Sequence, residues 1–200
     1  MRRSRLLAIT AVVTATAAAA QQPATRDSTH APYTKSDVAF MTGMIAHHAQ
    51  ALLMAGWAPS HGASPQVRTL CERITVAQTD EIVSMQSWLR DRGLPVPDGK
   101  PAAGTMPGMD HAMMPGMLTA SQLAALDSAR GPDFDRAFLA FMIQHHQGAI
   151  TMVDALLASP GAMRDDLLYK VATDISADQT AEIDRMRKMF AAMSPAAKAP

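Results

Sequence analysis

An internal repeat constrains this chain more than any other feature of its sequence. The stretch FMTGMIAHHAQALLMA (40–55) returns as FLAFMIQHHQGAITMV (138–153), so two adjacent histidines recur at an offset of 98 residues. Farther along each copy, QTDEIVSM (78–85) returns as QTAEIDRM (179–186) at an offset of 101 residues. The repeat therefore predicts two equivalent halves, with three residues inserted in the second one.

Apolar residues in the first copy recur three and four positions apart, which is the period of an amphipathic helix. Thr34 or Ser36 can cap a first helix that runs to about residue 57. Ser64, followed by Pro65, can cap a second helix that runs to about Arg92. The first copy is therefore predicted to be a helical hairpin.

The segment between the two copies, residues 93–118, has the composition of a loop. Five prolines and five glycines in 26 residues exclude a long helix or a central strand. Thr119 and Gln122 are spaced as a capping box and predict a short helix that Gly131 and Pro132 close. Two long helices are expected after it, at about 133–159 and 162–193.

No part of the chain shows the sustained alternation of a β-strand. Two equivalent helical hairpins can bury their apolar faces only against each other, around a pseudo-twofold axis. We therefore predict an all-α four-helix bundle with a Met-, Pro- and Gly-rich linker between its repeats. The predicted boundaries are repeat one at 34–92, the linker at 93–118 and repeat two at 119–193.

The first twenty residues predict a secretory signal peptide. A basic start precedes fifteen apolar or small residues that end at Ala20, a run too short and too rich in alanine for a stable membrane span. Loss of residues 1–20 removes three arginines and leaves 15 basic against 18 acidic residues, a net charge of −3. Because this charge is mildly negative, no nucleic-acid partner is expected. Flexible segments are expected at 21–33 and 194–200, and the location is expected to be periplasmic or extracellular.

Cys71 is the only cysteine of the chain, so an intramolecular disulfide is impossible and stability must come from packing. A soft metal ligand is one interpretation of this residue. Its surroundings in RTLCERITVAQ favour the other interpretation, a small core residue.

The paired histidines lie on the inward face of their helices together with methionines. At 100° per residue, Met44 lies within one turn of both His47 and His48, and a thioether and an imidazole at this spacing can hold one metal ion. The same face appears in both copies, and the candidate ligands on it are Met44, His47, His48, Met54, Met142, His145, His146 and Met152.

A structural role for these side chains is the alternative. Methionine is an adaptable core residue, and a buried histidine can be hydrogen-bonded within the core. Four buried imidazoles are nevertheless costly unless they are paired or coordinated, which favours a metal site. Gln78 with Glu81, and Gln179 with Glu182, could orient the histidines, or they could be polar residues of the helix surface or form hydrogen bonds between helices.

The linker carries a second group of soft ligands, in the stretch MPGMDHAMMPGM (106–117). Thioethers with occasional imidazole select Cu(I), and Ag(I) by the same softness, so a copper ion is the expected cargo. The alternative is a loop that packs over the bundle. The candidate ligands in the linker are Met106, Met109, His111, Met113, Met114 and Met117.

The doubled histidine motif, together with residues 114–153, resembles a family of exported, Met- and His-rich proteins. This family is catalogued as domain of unknown function 305 and includes the CopM-type copper-binding proteins. The resemblance covers roughly residues 35–190. It implies a ferritin-like four-helix bundle that binds Cu(I), Cu(II) or Ag(I) in copper tolerance, with His47, His48, His145, His146, Met44 and Met142 as ligands.

Three functions remain open from the sequence. The first is copper buffering or delivery, with a metal ion as the partner and a second copper-handling envelope protein as a candidate recipient. The second is a metal-free helical interaction module. The third, a ferritin-like di-metal oxidase, lacks its expected Glu-x-x-His pattern, because Glu72, Glu81 and Glu182 have no histidine three residues later. We therefore expect no enzymatic activity.

Overall fold

A computed structural model describes residues 31–100 and 114–193 of the chain. This part contains five α-helices and no β-strand, which confirms the all-α prediction. Four long helices form the bundle, and the short α3 packs against α4. The helices are α1 (Lys35–Gly56), α2 (Pro65–Asp91), α3 (Ala120–Ser128), α4 (Gly131–Leu157) and α5 (Asp166–Ala192).

The helices begin where the sequence places capping residues. Thr34 and Asp37 form a capping box at the start of α1, and Ser64 caps α2 with Pro65 in its first turn. The predicted capping box of Thr119 and Gln122 is also present at α3. The three inserted residues lengthen α4, which continues 11 residues past His146, whereas α1 continues 8 past His48.

Two predicted helix boundaries were wrong. Gly131 and Pro132 do not close α3, which ends at Ser128; they begin α4, where proline in the first turn costs no hydrogen bond. The last helix begins at Asp166 rather than near residue 162, because Asp165 caps it. Met163 before it is held in the left-handed region (φ 58°), where its backbone N–H donates to Asp37.

The two hairpins are joined at their ends by corresponding aspartates. Asp37 at the start of α1 accepts from the backbone N–H of Met163, just before α5. Asp135, its equivalent in α4, accepts from the backbone N–H of Ser64, just before α2. Both aspartates are buried, and each therefore fixes the start of a helix in the other hairpin.

The core consists of two apolar clusters, and each draws on both hairpins. One cluster contains Met54 and Leu70 together with Phe138 and Met186. The other contains Met44 and Trp88 together with Val153 and Ile175. Cys71 belongs to the first cluster and is 3% exposed, in agreement with the core interpretation.

Within the described residues, α1 is the one helix long and apolar enough to cross a membrane by length and composition. About two thirds (67%) of its apolar window is buried inside the bundle, which is how the core helix of a water-soluble bundle also behaves.

Tyr33, predicted to be in a flexible segment, packs edge-on against Trp88 with ring centroids 5.5 Å apart.

Candidate metal centre

A buried layer of polar side chains separates the two apolar clusters at mid-height of the bundle. On each long helix, the residues of one apolar cluster come before the buried polar residues of the layer, and the residues of the other cluster come after them. All of these side chains are at most 2% exposed. The histidine layer, as we call it, comprises His47 and His48 of α1, Gln78 of α2, His145 and His146 of α4, and Gln179 of α5.

Most of the unsatisfied hydrogen-bonding capacity of the interior belongs to this layer. Among the described residues, ten buried side-chain N and O atoms lack a partner, and all except Nε of Arg92 belong to the six side chains of the layer. Each such group costs roughly 1–3 kcal/mol, and a whole domain is stable by only about 5–15 kcal/mol. An interior of this kind is expected to take up a polar ligand.

His47 shows which ring nitrogen is available. Its Nε2–H donates to the carbonyl oxygen of Pro115 at 3.0 Å, because a carbonyl can only accept. The neutral ring then has its lone pair on Nδ1, which is buried without a partner. Metal-binding histidines are commonly oriented in this way, with one nitrogen donating to a carbonyl or carboxylate and the other free to bind the metal.

His48 and His146 repeat this arrangement with glutamates. Nε2 of His48 lies 2.6 Å from Oε2 of Glu81, and Nε2 of His146 lies 2.6 Å from Oε2 of Glu182. In both rings Nδ1 has no partner. These contacts join α1 to α2 and α4 to α5, so they agree with both an orienting role and interhelical hydrogen bonding, and not with helix-surface polarity alone.

Burial keeps the imidazoles of His47, His48 and His145 neutral. It lowers the pKa of His47 to about 3, with a further contribution from the neighbouring His48, and it lowers the pKa of His48 to about 3. Burial, with the nearby Asp178 and Glu182, raises the pKa of Glu81 to about 8. Both pKa shifts favour the neutral forms of His48 and Glu81 and therefore disfavour an ion pair between them. Neutral imidazole is the form that binds metals.

His145 lies at the centre of the layer. Its ring is 3.8 Å from that of His47, centroid to centroid, and links α4 to α1. Neither of its ring nitrogens has a partner, and burial together with His47 holds the pKa of His145 well below its ordinary value. The neutral ring therefore carries one N–H and one nitrogen lone pair, and neither has a partner.

His61 is buried as well and provides the contrast. Its Nδ1 is 2.9 Å from Oγ of Ser60, and its Nε2 donates to Asp127 at 2.8 Å. The ring also stacks on Trp57 and lies against the tilted ring of Phe134, so it connects the α1–α2 turn to α3 and α4. This is a satisfied structural histidine, unlike the four histidines of the layer.

The methionines of the two copies differ in their distance from the layer. Met44 and Met142 are fully buried, one turn from the histidines and in opposite apolar clusters, so a thioether flanks the layer on each side. Met54 and Met152 lie six residues beyond His48 and His146, about 9 Å along the helix. The structure therefore brings Met44 and Met142 to the histidines and leaves Met54 and Met152 farther away.

The end of the linker closes the α1–α4 face of the layer. Residues 114–118 pack over the bundle, and Met114 and Met117 are half-buried. A Cβ added at Gly43 would lie 3.5 Å from Sδ of Met114 and 3.5 Å from Met152. Met114 and Met152 therefore both lie beside Gly43 of α1. Four linker candidates lie outside the described residues: Met106, Met109, His111 and Met113.

Among residues 31–100 and 114–193, no three His, Cys, Asp or Glu side chains converge in a geometry that could hold a metal ion. An ion bound in the layer would therefore draw on methionine sulfur, on amide oxygen or on fewer than three of these ligands. Cys71 is not a candidate, because burial raises the pKa of its thiol to about 12 and only the thiolate binds metals well.

Sequence reasoning missed two contributors to the site. Gln78 and Gln179 were expected at most to orient the histidines, but they complete the layer and contact no partner. The carbonyl of Pro115 was not considered, since no pattern reveals which loop carbonyl meets a helix. The recurrence of QT at both positions was the one signal that could have singled out the glutamines.

The fold and the layer define a class: a four-helix bundle with a buried imidazole and amide centre. Residues 37–190 match the family described as Domain of unknown function (DUF305), and this chain belongs to that family. A curated relative, uncharacterized protein L153 of Acanthamoeba polyphaga mimivirus, is 34% identical over 58 residues. That match spans 29% of this chain and only 38% of the relative.

Several solved structures share the fold. A DUF305 protein of Streptomyces coelicolor, described as secreted, is 25% identical with a TM-score of 0.67 over 79% of this chain and 93% of that one. A DUF305 fragment from Deinococcus radiodurans is 31% identical with a TM-score of 0.65 over 80% and 99%. CopM in its Cu(II)-bound form is 29% identical with a TM-score of 0.63 over 79% and 97%. CopM is also known in Cu(I)-bound and Ag-bound forms.

Proposed function

We propose that this protein is an exported copper-binding protein whose histidine layer holds Cu(I), and Ag(I) by the same chemistry. Its role would be copper buffering, tolerance or delivery to a second copper-handling protein of the envelope. The observation that carries the proposal is the set of buried Nδ1 atoms without partners on rings whose Nε2 atoms are held by Pro115, Glu81 and Glu182.

The donor set fits a soft monovalent ion. Neutral imidazole nitrogen and thioether sulfur are preferred by Cu(I), and Met44 and Met142 lie one turn from the histidines on the same faces. The CopM relatives, described as bound to copper and silver, support the choice of metal. Export is supported by the sequence of residues 1–20 and by the secreted relative from Streptomyces coelicolor.

Metal titration tests the histidine layer directly. Residues 21–200 would be titrated with Cu(I) against a competing chelator, beside a variant with alanine at all four layer histidines and a His61→Ala control. We expect binding in the parent protein and in His61→Ala, and its loss in the four-histidine variant. Binding that survives in the four-histidine variant would place the copper elsewhere, and no binding by any form would leave a metal-free interaction module.

Thermal unfolding supplies an independent measurement. An ion that binds only the folded protein stabilises it by about 2.7 kcal/mol at a free concentration of 100 times Kd. We therefore expect Ag(I) to raise the Tm of the parent protein and to leave that of the four-histidine variant unchanged. Replacing the five linker methionines by leucine would separate the contribution of the linker from that of the layer; they are Met106, Met109, Met113, Met114 and Met117.

A further inference from the structure

A polar cavity of about 190 Å³ lies between α2 and α5 and opens to solvent. Its lining includes the two glutamines of the histidine layer, Gln78 and Gln179, and the two glutamates that contact histidines, Glu81 and Glu182. Since Glu81 touches His48 and Glu182 touches His146, a single side chain separates this cavity from the imidazoles.

The glutamines indicate that the cavity receives a ligand. Both side chains are 2% exposed, and neither the amide oxygen nor the amide nitrogen of either one has a hydrogen-bond partner. A buried amide without partners costs free energy in the absence of a ligand. Two such amides at corresponding positions of α2 and α5 are difficult to explain by packing, for which an apolar side chain would serve better.

The opposite approach to the layer, across α1 and α4, is closed. The carbonyl oxygen of Pro115 would lie only 2.0 Å from a Cβ added at Gly148, so the loop and α4 are in direct backbone contact. Gln50 of α1 holds the same loop through two hydrogen bonds with the backbone of Leu118, at 2.8 and 3.2 Å. Among the described residues, the α1–α4 face is therefore covered, whereas an open cavity lined by polar side chains reaches the layer between α2 and α5.

We propose that the α2–α5 cavity is the access route by which a small metal cation reaches the histidine layer. The oxygens of Gln78, Gln179 and the two glutamates replace part of the hydration shell of the ion before the imidazoles bind it. This inference rests on the proposed function, because it concerns the path to the same layer.

Two arginines at the cavity make the route testable by charge. Arg73 of α2 and Arg185 of α5 line it, are exposed, and form no ion pair among the described residues. Their positive charges slow the approach of a cation, and they act over about one Debye length. Removing them therefore accelerates an ion that uses this route and has little effect on an ion that uses another.

The experiment measures the association rate of Ag(I) with residues 21–200 by stopped flow, in chloride-free buffer of about 0.1 M ionic strength, where the Debye length is about 10 Å. For Arg73→Gln/Arg185→Gln we expect a rate several-fold higher, on the order of threefold or more. Arg90→Gln/Arg164→Gln is the matched control, because it removes the same charge from exposed positions near one end of the bundle, where neither arginine lines the cavity or forms an ion pair among the described residues. Its rate is expected to remain close to that of the parent protein.

A second variant fills the cavity. Ala77 lines it and is half-buried, so Ala77→Leu is expected to lower the association rate by about tenfold, with Kd nearly unchanged. The control is Ala177→Leu, at an exposed position of α5 that does not line the cavity. If Ala77→Leu does not fold, the exposed arginine pair decides the question alone.

The possible results separate the route from the site. A cavity-lining variant that binds at the rate of its control overturns the access route, even if Ag(I) binds tightly at equilibrium. Failure of the proposed function has a different signature: the parent protein does not bind at equilibrium, or the four-histidine variant binds as well as the parent protein.

Discussion

The buried histidines of this protein differ in whether both of their ring nitrogens have partners. His61 has a hydroxyl on one side and Asp127 on the other, whereas His145 has no partner on either nitrogen. Both rings are almost completely buried, at 5% and 0% exposure. A buried imidazole with two partners stabilises the fold, and one without partners stabilises only the complex with a ligand.

This contrast predicts opposite effects of the same substitution on the metal-free protein. His145→Leu removes two unsatisfied polar atoms and fills the site with a side chain of similar size, so we expect the free energy of unfolding to rise by about 1 kcal/mol or more. His61→Leu leaves Ser60 and Asp127 without their partner and is expected to lower it by about 1–3 kcal/mol.

Urea denaturation in the presence of a chelator measures both changes in stability. In a separate titration with Ag(I), only His145→Leu is expected to lose metal binding. A loss of stability in His145→Leu as large as that in His61→Leu would contradict our account. It would mean that the ring nitrogens of His145 are satisfied in the metal-free protein.

At the scale of elements, the loop 114–118 explains why the two copies differ at particular positions. Gln50 and Gly148 are equivalent in the repeat, yet one holds Leu118 by hydrogen bonds and the other lets Pro115 approach. Gly43, equivalent to Phe141, makes room for Met114. A single connecting loop crosses an otherwise repeated surface, and it therefore requires different side chains from the two helices.

The glycine of α4 offers a test of this loop contact. Gly148→Ala places a Cβ against backbone atoms, so the loop must move, and we expect a loss of about 1–3 kcal/mol that the better helix propensity of alanine only partly offsets. The control is Gly56→Ala, where nothing lies within 4 Å of the new Cβ. That change is expected to be neutral or stabilising by up to about 1 kcal/mol.

Hydrogen exchange gives the local measurement. The Leu118 amide donates to Gln50, so its exchange should become faster in Gly148→Ala and remain unchanged in Gly56→Ala. Equal stability of the two variants would show that the loop yields without cost.

At the scale of the whole molecule, neither hairpin has a core of its own. Each apolar cluster combines residues of both hairpins, as Met54 with Phe138 in one and Trp88 with Val153 in the other. The histidine layer is shared in the same way, because the tilted rings of His47 and His145 lie 3.8 Å apart, centroid to centroid, across the boundary between the hairpins.

We therefore expect residues 31–100, expressed alone, to lack a cooperative thermal transition by circular dichroism. A hairpin of this size exposes its apolar face to water when its partner is removed. Residues 31–193 should unfold cooperatively, and the separate hairpins should regain helical structure when they are mixed. A cooperative transition in the isolated hairpin would show that it buries a sufficient core alone.

Much of the architecture followed from the sequence because its causes are local. Helical periodicity, caps such as Thr34 and Ser64, and a loop rich in proline and glycine act within a few residues. The prediction that Gly131 and Pro132 end a helix was wrong for a related reason. Proline has the same preference for the first turn of a helix as for the segment after one, and only the neighbouring elements decide between them.

The sequence by itself determined that two equivalent helices present adjacent histidines, with a methionine one turn away, toward a common interior. Only the tertiary structure decided that Gln78 and Gln179 join them in one layer. It also decided that Pro115, Glu81 and Glu182 contact the Nε2 atoms of the histidines, and that the α1–α4 side is closed. The physical reason is range. The direction of a side chain on its helix follows from a rotation of 100° per residue, whereas its partners across the bundle depend on how four helices pack together.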